Sequence, residues 1–147
     1  MKLLLLSVVL LFSNNSLVNI RQLYESAYRD EDKTEALIRL TESTGDVVKM
    51  GYNGAAKIIM ANHVFNPVTK LRYFNNGKSI LENAIAKAPA NTELRYLRLT
   101  IQLNAPSFLG YNKMIEADKM FLQKNVTATE DADLKKMITD YLESLNR

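Results

Sequence analysis

The sequence predicts an all-α protein of about six to seven helices. Apolar residues recur at spacings of three and four along most of the chain, and capping residues, glycines and prolines separate the periodic stretches. No alternating apolar run is bounded by turn residues, so no strand is expected. A chain of 147 residues, 47% of them hydrophobic, has room for one core. We therefore predict a single α-helical domain over residues 17–147.

The N-terminus predicts export. The segment "MKLLLLSVVLLFSNNS" has a charged Lys2, an apolar run from Leu3 to Phe12, and then a polar break. Such a run is shorter than the roughly 20 residues that cross a bilayer, and the arrangement is typical of a secretory signal peptide. We predict a signal peptide over residues 1–16, a periplasmic protein and no stable membrane span; a buried N-terminal helix is the alternative. The chain has no cysteine, which excludes a lipoprotein anchor and disulfides.

Three helices are predicted before Pro67. The first, "SLVNIRQLYESAYR", has a periodic apolar face, and the second, "DKTEALIRLTES", is stopped by Gly45. The third, "DVVKMGYNGAAKIIMANHVF", begins at the capping residue Asp46. Because a glycine inside a helix costs about 1 kcal/mol, Gly51 and Gly54 predict a close approach by another helix.

The second half of the chain continues the pattern. A short apolar segment, "VTKLRYF", leads into the helix "GKSILENAIAKA", which Pro89 follows. Asn91 caps the next helix, "TELRYLRLTIQLN", and an apolar loop then leads to "YNKMIEADKMFLQKN". Thr127 and Glu130 have the spacing of a capping box, which predicts the start of a last amphipathic helix.

Two patterns predict how the helices associate. "IIMANHVFNP" and "LRLTIQLNAP" both run an apolar helix into a proline, so that His63 corresponds to Gln102. "GKSILENAIAKAPANTELRYL" resembles the second helix of a tetratricopeptide repeat followed by the start of the next repeat. The small, large, small and proline positions of that motif are at Gly77, Leu81, Ala84 and Pro89. The resemblance implies antiparallel helix pairs stacked in a single right-handed array.

A second resemblance involves the chain as a whole. Its residues are "ANHVFNP", "ELRYLRLTIQLNAPSFLGYN" and "EADKMFL". Through them the chain resembles a group of small exported helical proteins of Bacteroidetes-type bacteria whose role is unknown. The resemblance implies an exported compartment and a helical fold, and it implies no activity.

The helix "TELRYLRLTIQLN" carries an unusual polar strip. Arg95, Arg98 and Gln102 fall on one line between two apolar faces, so the helix should be sandwiched between neighbours. Two guanidinium groups about 6 Å apart repel by roughly 2–3 kcal/mol at an effective dielectric near 20, so an anion is expected between them. The anion is either internal, from Asp118 or Glu116, or a bound carboxylate, phosphate or peptide C-terminus. A solvated strip is the third interpretation.

The repeat register predicts a shared polar pocket. Stacked copies present equivalent positions on one side, so His63 is expected beside the strip, with Asp118 as counter-ion and Tyr111 at the rim. In the loop "NAPSFLGYNK", Phe108 and Leu109 are expected to form a lid that tucks into the core; the alternative is an exposed patch that receives a partner. The predicted ligand-binding residues are Arg95, Arg98, Gln102, His63, Tyr111 and Asp118.

The composition argues against several functional classes. The net charge is only +3 and basic residues alternate with acidic ones, so no nucleic-acid partner is expected. A single histidine and no cysteine argue against a metal site, and no cofactor or catalytic motif is present. We predict a non-catalytic binding protein that engages a peptide or protein. The alternative is a protein that binds a small anionic ligand through the strip, and a hydrolase centred on His63 is the third possibility.

Export can be tested by mass. The protein recovered from its native host should lack about 12–20 N-terminal residues, because cleavage removes the charged and apolar regions of a signal peptide together. Intact-mass spectrometry measures this loss directly. A full-length, soluble cytosolic protein would contradict the prediction and favour the buried N-terminal helix.

Overall fold

The computed structural model describes residues 16–147 and confirms the all-α class. This part of the chain contains seven α-helices, two 3₁₀ turns and no strand. The α-helices are α1 (16–27), α2 (Glu31–Thr41), α3 (Val47–Met60), α4 (Pro67–Lys87), α5 (Thr92–Asn104), α6 (Ile115–Asn125) and α7 (Ala132–Ser144). The 3₁₀ turns are Ser107–Leu109 and Val126–Ala128. The predicted signal segment lies outside the described residues, except for its last residue.

Side-chain caps set where five of the helices begin, and four of these caps have the same geometry. The caps of α2, α3, α5 and α7 are Asp30, Asp46, Asn91 and Asp131. Each accepts a hydrogen bond from the backbone N–H three residues later, which stabilises a helix by about 1 kcal/mol. The capping box predicted at Thr127 and Glu130 is wrong. The chain is still in a 3₁₀ turn at Thr127, and Asp131 caps α7 instead.

Helix α4 is longer than predicted. Asn66 caps it by accepting hydrogen bonds from the N–H groups of Val68 and Thr69. Pro67 lies in the first turn, where a backbone N–H would have no intrahelical acceptor, so its lack of an N–H costs nothing there. The segment "VTKLRYF" is therefore the first part of one 21-residue helix. Gly77 does not start this helix but lies inside it.

The backbones of α3 and α4 are in contact. A β-carbon added at Gly54 would lie 2.6 Å from the backbone nitrogen of Leu81, and one added at Gly77 would lie 2.4 Å from the carbonyl oxygen of Gly54. Only glycine fits at these two positions, because no side-chain atom can come so close to a backbone. Leu81 and Ala84, the large and the second small position of the tetratricopeptide-like pattern, are fully buried. The close helix approach predicted from the glycines of α3 is confirmed.

Helix α5 is the central helix of the domain. Nine of its thirteen residues are buried, including most of the polar strip. Tyr24 of α1 shares a 2.6 Å hydrogen bond with Thr100, and Tyr141 of α7 packs edge-on against Tyr96 with ring centres 5.6 Å apart. Helices α3, α4 and α6 cover the other sides. The prediction that this helix is sandwiched between neighbours is confirmed.

The helices close around α5 rather than stacking as an open array. In an array of helix pairs, each pair contacts only its neighbours. Here Arg21 of α1 donates to Glu93 of α5 at 2.7 Å, and to Asp131 and Asp133 at the start of α7 at 3.0 and 2.8 Å. The first and last described helices therefore meet beside α5. The helical class is confirmed, whereas the single right-handed array is not.

The glycine contact between α3 and α4 can be tested by substitution. Gly54→Ala should destabilise the protein by about 1–3 kcal/mol, because the added methyl meets backbone atoms of α4. Gly45→Ala is the matched control, since no atom of the described residues lies within 4 Å of its added β-carbon, and it should be neutral or slightly stabilising. Chemical denaturation measures both changes. Equal stabilities would mean that the two helices do not touch at Gly54.

Candidate functional site

Asp118 is the anion between the two arginines of α5. Its carboxylate is fully buried in the first turn of α6. Arg95 Nη1 donates to Oδ1 at 2.7 Å, and Arg98 donates from Nε to Oδ2 at 2.7 Å and from Nη2 to Oδ1 at 2.8 Å. The contact with Arg98 is bidentate, which is the strong geometry for this pair. Asp118 thus lies where the internal interpretation expected it, while Glu116 is exposed.

A second carboxylate extends this network. Arg98 Nη1 donates to Glu82 Oε2 of α4 at 3.0 Å, and the Tyr111 hydroxyl donates to Glu82 Oε1 at 2.5 Å. The guanidinium carbon of Arg95 lies 4.7 Å from the centre of the Phe121 ring, within the range of a cation–π contact. Both arginines are therefore paired and oriented by the protein itself.

Burial and pairing set the charges of this network. Burial disfavours the charged form of Arg98, but the hydrogen bonds and charge of Asp118 raise the pKa of Arg98 above its ordinary value. Burial raises the pKa of Tyr111, and the hydrogen bond to Glu82 raises it further. Arg98 is therefore a cation and Tyr111 a neutral donor around neutral pH. Such a network suits the joining of helices better than proton transfer.

Gln102 lies one turn beyond Arg98 on α5. Its side chain is buried, and no donor among the described residues reaches its Oε1. A buried amide oxygen without a partner typically costs about 1–3 kcal/mol. Gln102 therefore lies in the predicted strip, but its carbonyl oxygen takes no part in the ion pairs.

His63 is not brought to this network. It lies in the turn after α3, where its Nε2 is 2.8 Å from the carbonyl oxygen of Ala27 and 3.3 Å from Thr34 Oγ1. The shared pocket was predicted from stacked copies, but the end of α3 faces the turn between α1 and α2, whereas the strip on α5 faces α6. His63 is therefore a contact of the α1–α2 turn. Thr34, the hydroxyl beside it, is fully buried and donates to Ala27 at 2.7 Å, so a substrate could not reach it.

An apolar pocket opens where the C-terminal ends of α3 and α5 meet the first half of α4. Its volume is about 370 Å³. Its walls include Tyr28, Ile58, Phe74, Ile101 and Leu109. Ligand pockets usually measure roughly 300–1,000 Å³, so this one suits a few apolar side chains. We call it the Phe108 pocket, after the most exposed of the large apolar residues that line it.

Large exposed apolar side chains line the pocket or lie close to its lining residues in the sequence. Phe108 and Leu71 line it and are 85% and 51% exposed. Phe65 and Val68 flank another lining residue, Pro67, in the sequence and are 96% and 67% exposed. We call Phe65, Val68, Leu71 and Phe108 the apolar rim. An apolar surface of this kind beside a cavity is typical of a site that receives a partner.

The loop between α5 and α6 covers the core only in part. Its 3₁₀ turn, Ser107–Leu109, ends at Gly110, which adopts the left-handed conformation with φ of 66°. Leu109 packs against the core, whereas Phe108 faces solvent. Neighbouring residues of so tight a turn point in different directions, so only one of the two is covered. The lid prediction is wrong for Phe108, which matches the alternative of an exposed patch.

The Phe108 pocket lies in the most basic part of the chain. Lys70 is the charged residue that lines it. Residues 47–115 contain nine Lys and Arg but two Asp and Glu, and both of these acids, Glu82 and Glu93, pair with arginines. The whole-chain charge of +3 hides this asymmetry because it averages a basic centre and acidic ends. A charge count by segment is the sequence signal that could have found it.

Comparisons of the chain with protein-family models, curated proteins and solved structures found no match. Within residues 16–147, no helix has the length and apolar character to cross a membrane. The same residues contain no group of three or more His, Asp and Glu side chains that could hold a metal ion. Function is therefore inferred from the geometry of the described residues.

The role of Asp118 can be tested by removing its carboxylate. Asp118→Ala leaves two cations without their shared partner, one of them buried, and should cost about 3–5 kcal/mol of unfolding free energy. Asp140→Ala is the control, because Asp140 pairs with Lys136 on the exposed face of α7, and it should leave the denaturation midpoint nearly unchanged. A small effect of Asp118→Ala would favour a bound external anion instead.

Proposed function

We propose that this protein is an exported, non-catalytic binding protein that engages a peptide or protein partner at the Phe108 pocket. The observation that supports this most strongly is a concave apolar pocket together with the exposed side chains of the apolar rim, two of which line it. A pocket gives a partner's side chains a place to be buried, and the rim adds contact area around it. Interfaces commonly combine these two features.

The distribution of exposed apolar side chains supports the same site. Single exposed apolar residues are normal on a protein surface, but contiguous ones mark interaction sites. Four of the eight large apolar side chains that are exposed in residues 16–147 belong to the rim. Burying a side chain such as Phe108 in a partner would stabilise the complex by about 1.5–3 kcal/mol. The rim can therefore contribute a substantial part of the binding free energy.

The other functions receive less support. The small-anion alternative needs Arg95 and Arg98 to be available, and both already bind Asp118. A hydrolase centred on His63 needs an accessible nucleophile, and Thr34 beside it is buried. Within residues 16–147, the charged and nucleophilic groups at both sites are already paired or buried.

Export and a periplasmic location are part of the proposal. They are supported by Lys2 and the apolar run at 3–12, the pattern of a secretory signal peptide. The resemblance to small exported helical proteins points the same way. An exported protein without cysteine has no disulfide to stabilise it and depends on the packing and pairing of its helices, in keeping with the closely packed helices around α5.

A synthetic peptide can test the binding site. The probe is a fluorescently labelled 16-residue helix with leucines at i, i+3, i+4 and i+7 and an uncharged face of Gln and Ala. We expect saturable binding in fluorescence anisotropy. Phe108→Ser should weaken it by about tenfold, because the change removes a large apolar contact. Ala105→Phe should also weaken it, because the added ring fills the pocket that Ala105 lines.

The matched control is Met120→Ser. Met120 is 68% exposed on α6 and does not line the pocket, so its loss should leave binding unchanged. Binding that is insensitive to Phe108→Ser and Ala105→Phe would show that the peptide uses another surface. Absence of any binding would contradict the proposed function.

A further inference from the structure

We infer that the partner segment is an amphipathic helix whose polar face is acidic. The inference rests on the proposed function and adds to it the conformation and the charge of the partner. It follows from the helical surroundings of the Phe108 pocket, from the position of Lys70, and from the lack of acidic residues in the segments that build the pocket.

The surroundings of the pocket favour a helical partner. An extended peptide usually binds by adding a strand to the edge of a sheet. Residues 16–147 contain no strand, so their surface has no edge with free backbone groups for such a peptide. A helix bonds its own backbone groups internally and presents only side chains. Its residues at i, i+3 and i+4 can enter an apolar groove together.

The charge of the pocket favours an acidic partner. Lys70 lines the pocket and belongs to no ion pair among residues 16–147. The two stretches that build most of the pocket, 58–74 and 101–109, contain Lys70 and Arg72 but no Asp or Glu. An acidic polar face would find an unpaired cation at the mouth, whereas a basic face would meet only like charge.

The shape of the site favours a helix over an anionic membrane. Both partners would use the same cations and the same apolar rim. A membrane receives protruding side chains and needs no cavity in the protein. The site instead has a cavity of about 370 Å³ behind Phe108, and the apolar anchors of a helix fill such a cavity. The cavity therefore favours a helical partner over a membrane.

Three peptides test the charge of the partner. They share the leucine face of the uncharged probe, and their polar faces carry Gln, Glu or Lys; a hydrocarbon staple keeps their helicity equal, as checked by circular dichroism. Anisotropy at low salt should give the order Glu, Gln, Lys, with the Glu peptide about tenfold tighter than the Lys peptide. The difference should shrink at high salt because ions screen exposed charges. A fourth peptide, the unstapled Glu sequence with two central prolines, cannot form the helix and should bind at least tenfold more weakly.

Variants of Lys70 test whether this residue determines the preference for the Glu peptide. Lys70→Glu should reverse the preference between the Glu and Lys peptides, and Lys70→Met, which keeps an apolar stem, should abolish it. Lys124→Glu is the matched control, because it changes the net charge equally from the last turn of α6. The preference should survive in that control. Thermal melts of each variant confirm that the fold is retained.

Each other outcome overturns a defined part of the inference. Equal binding of the three helical peptides would contradict the inferred acidic polar face but leave the proposed function intact. Binding of the proline peptide as tight as that of the stapled Glu peptide would contradict the inferred helical conformation of the partner. If no peptide binds but vesicles with 30% anionic lipid do so in a Phe108-dependent way, the surface is a membrane contact. Phe108-dependent self-association in analytical ultracentrifugation, without peptide binding, would identify a second copy as the occupant. Both of these last results would overturn the inference and the proposed function together.

Discussion

The burial of α5 is the constraint on which the rest of the structure depends. A helix with nine of thirteen residues buried must provide partners for its charged side chains, because an unpaired buried charge is strongly unfavourable. Glu93 forms an ion pair with Arg21 of α1, and Arg98 forms one with Asp118 of α6. The two pairs attach a helix to each of two sides of α5. Apolar residues could give equal stability there, but ion pairs also fix which helix lies on which side.

The same arrangement accounts for the position of the Phe108 pocket. Gly51 of α3 lies against Leu94 near the start of α5, and Ile58 and Ile101 line one pocket, so the two helices end on the same side of the domain. The buried pair of Arg21 closes the opposite side, where the acidic starts of α5 and α7 meet. Among residues 16–147, no such charge cluster joins the helix ends at the pocket. Apolar side chains remain there with only part of their surface covered.

The features that the sequence predicted correctly are those encoded over short distances. Helical periodicity gave the class and the sandwiched α5, and two arginines one turn apart required an anion, which Asp118 supplies 20 residues later. The pair of Arg21 and Glu93 spans 72 residues, and no local pattern indicates it. This pair, which closes the domain, was missed. His63 was misplaced for the same reason: a repeat register describes neighbours along the chain, but not the packing of α1 onto α5.

The residues that are conspicuous in the sequence and the residues of the proposed binding site differ for a physical reason. Charged side chains inside a domain need oppositely charged partners from the same domain. The two arginines of the strip on α5 therefore pair with Asp118 and join α5 to α6. An apolar side chain in a loop has the same sequence pattern whether it covers its own core or a partner's. Leu109 and Phe108 are neighbours of that kind, one packed inward and one exposed. A large ring that stays exposed contributes none of the roughly 1.5–3 kcal/mol that its burial would add to stability. The proposed binding function therefore gives several such groups beside a basic residue a role that folding alone does not.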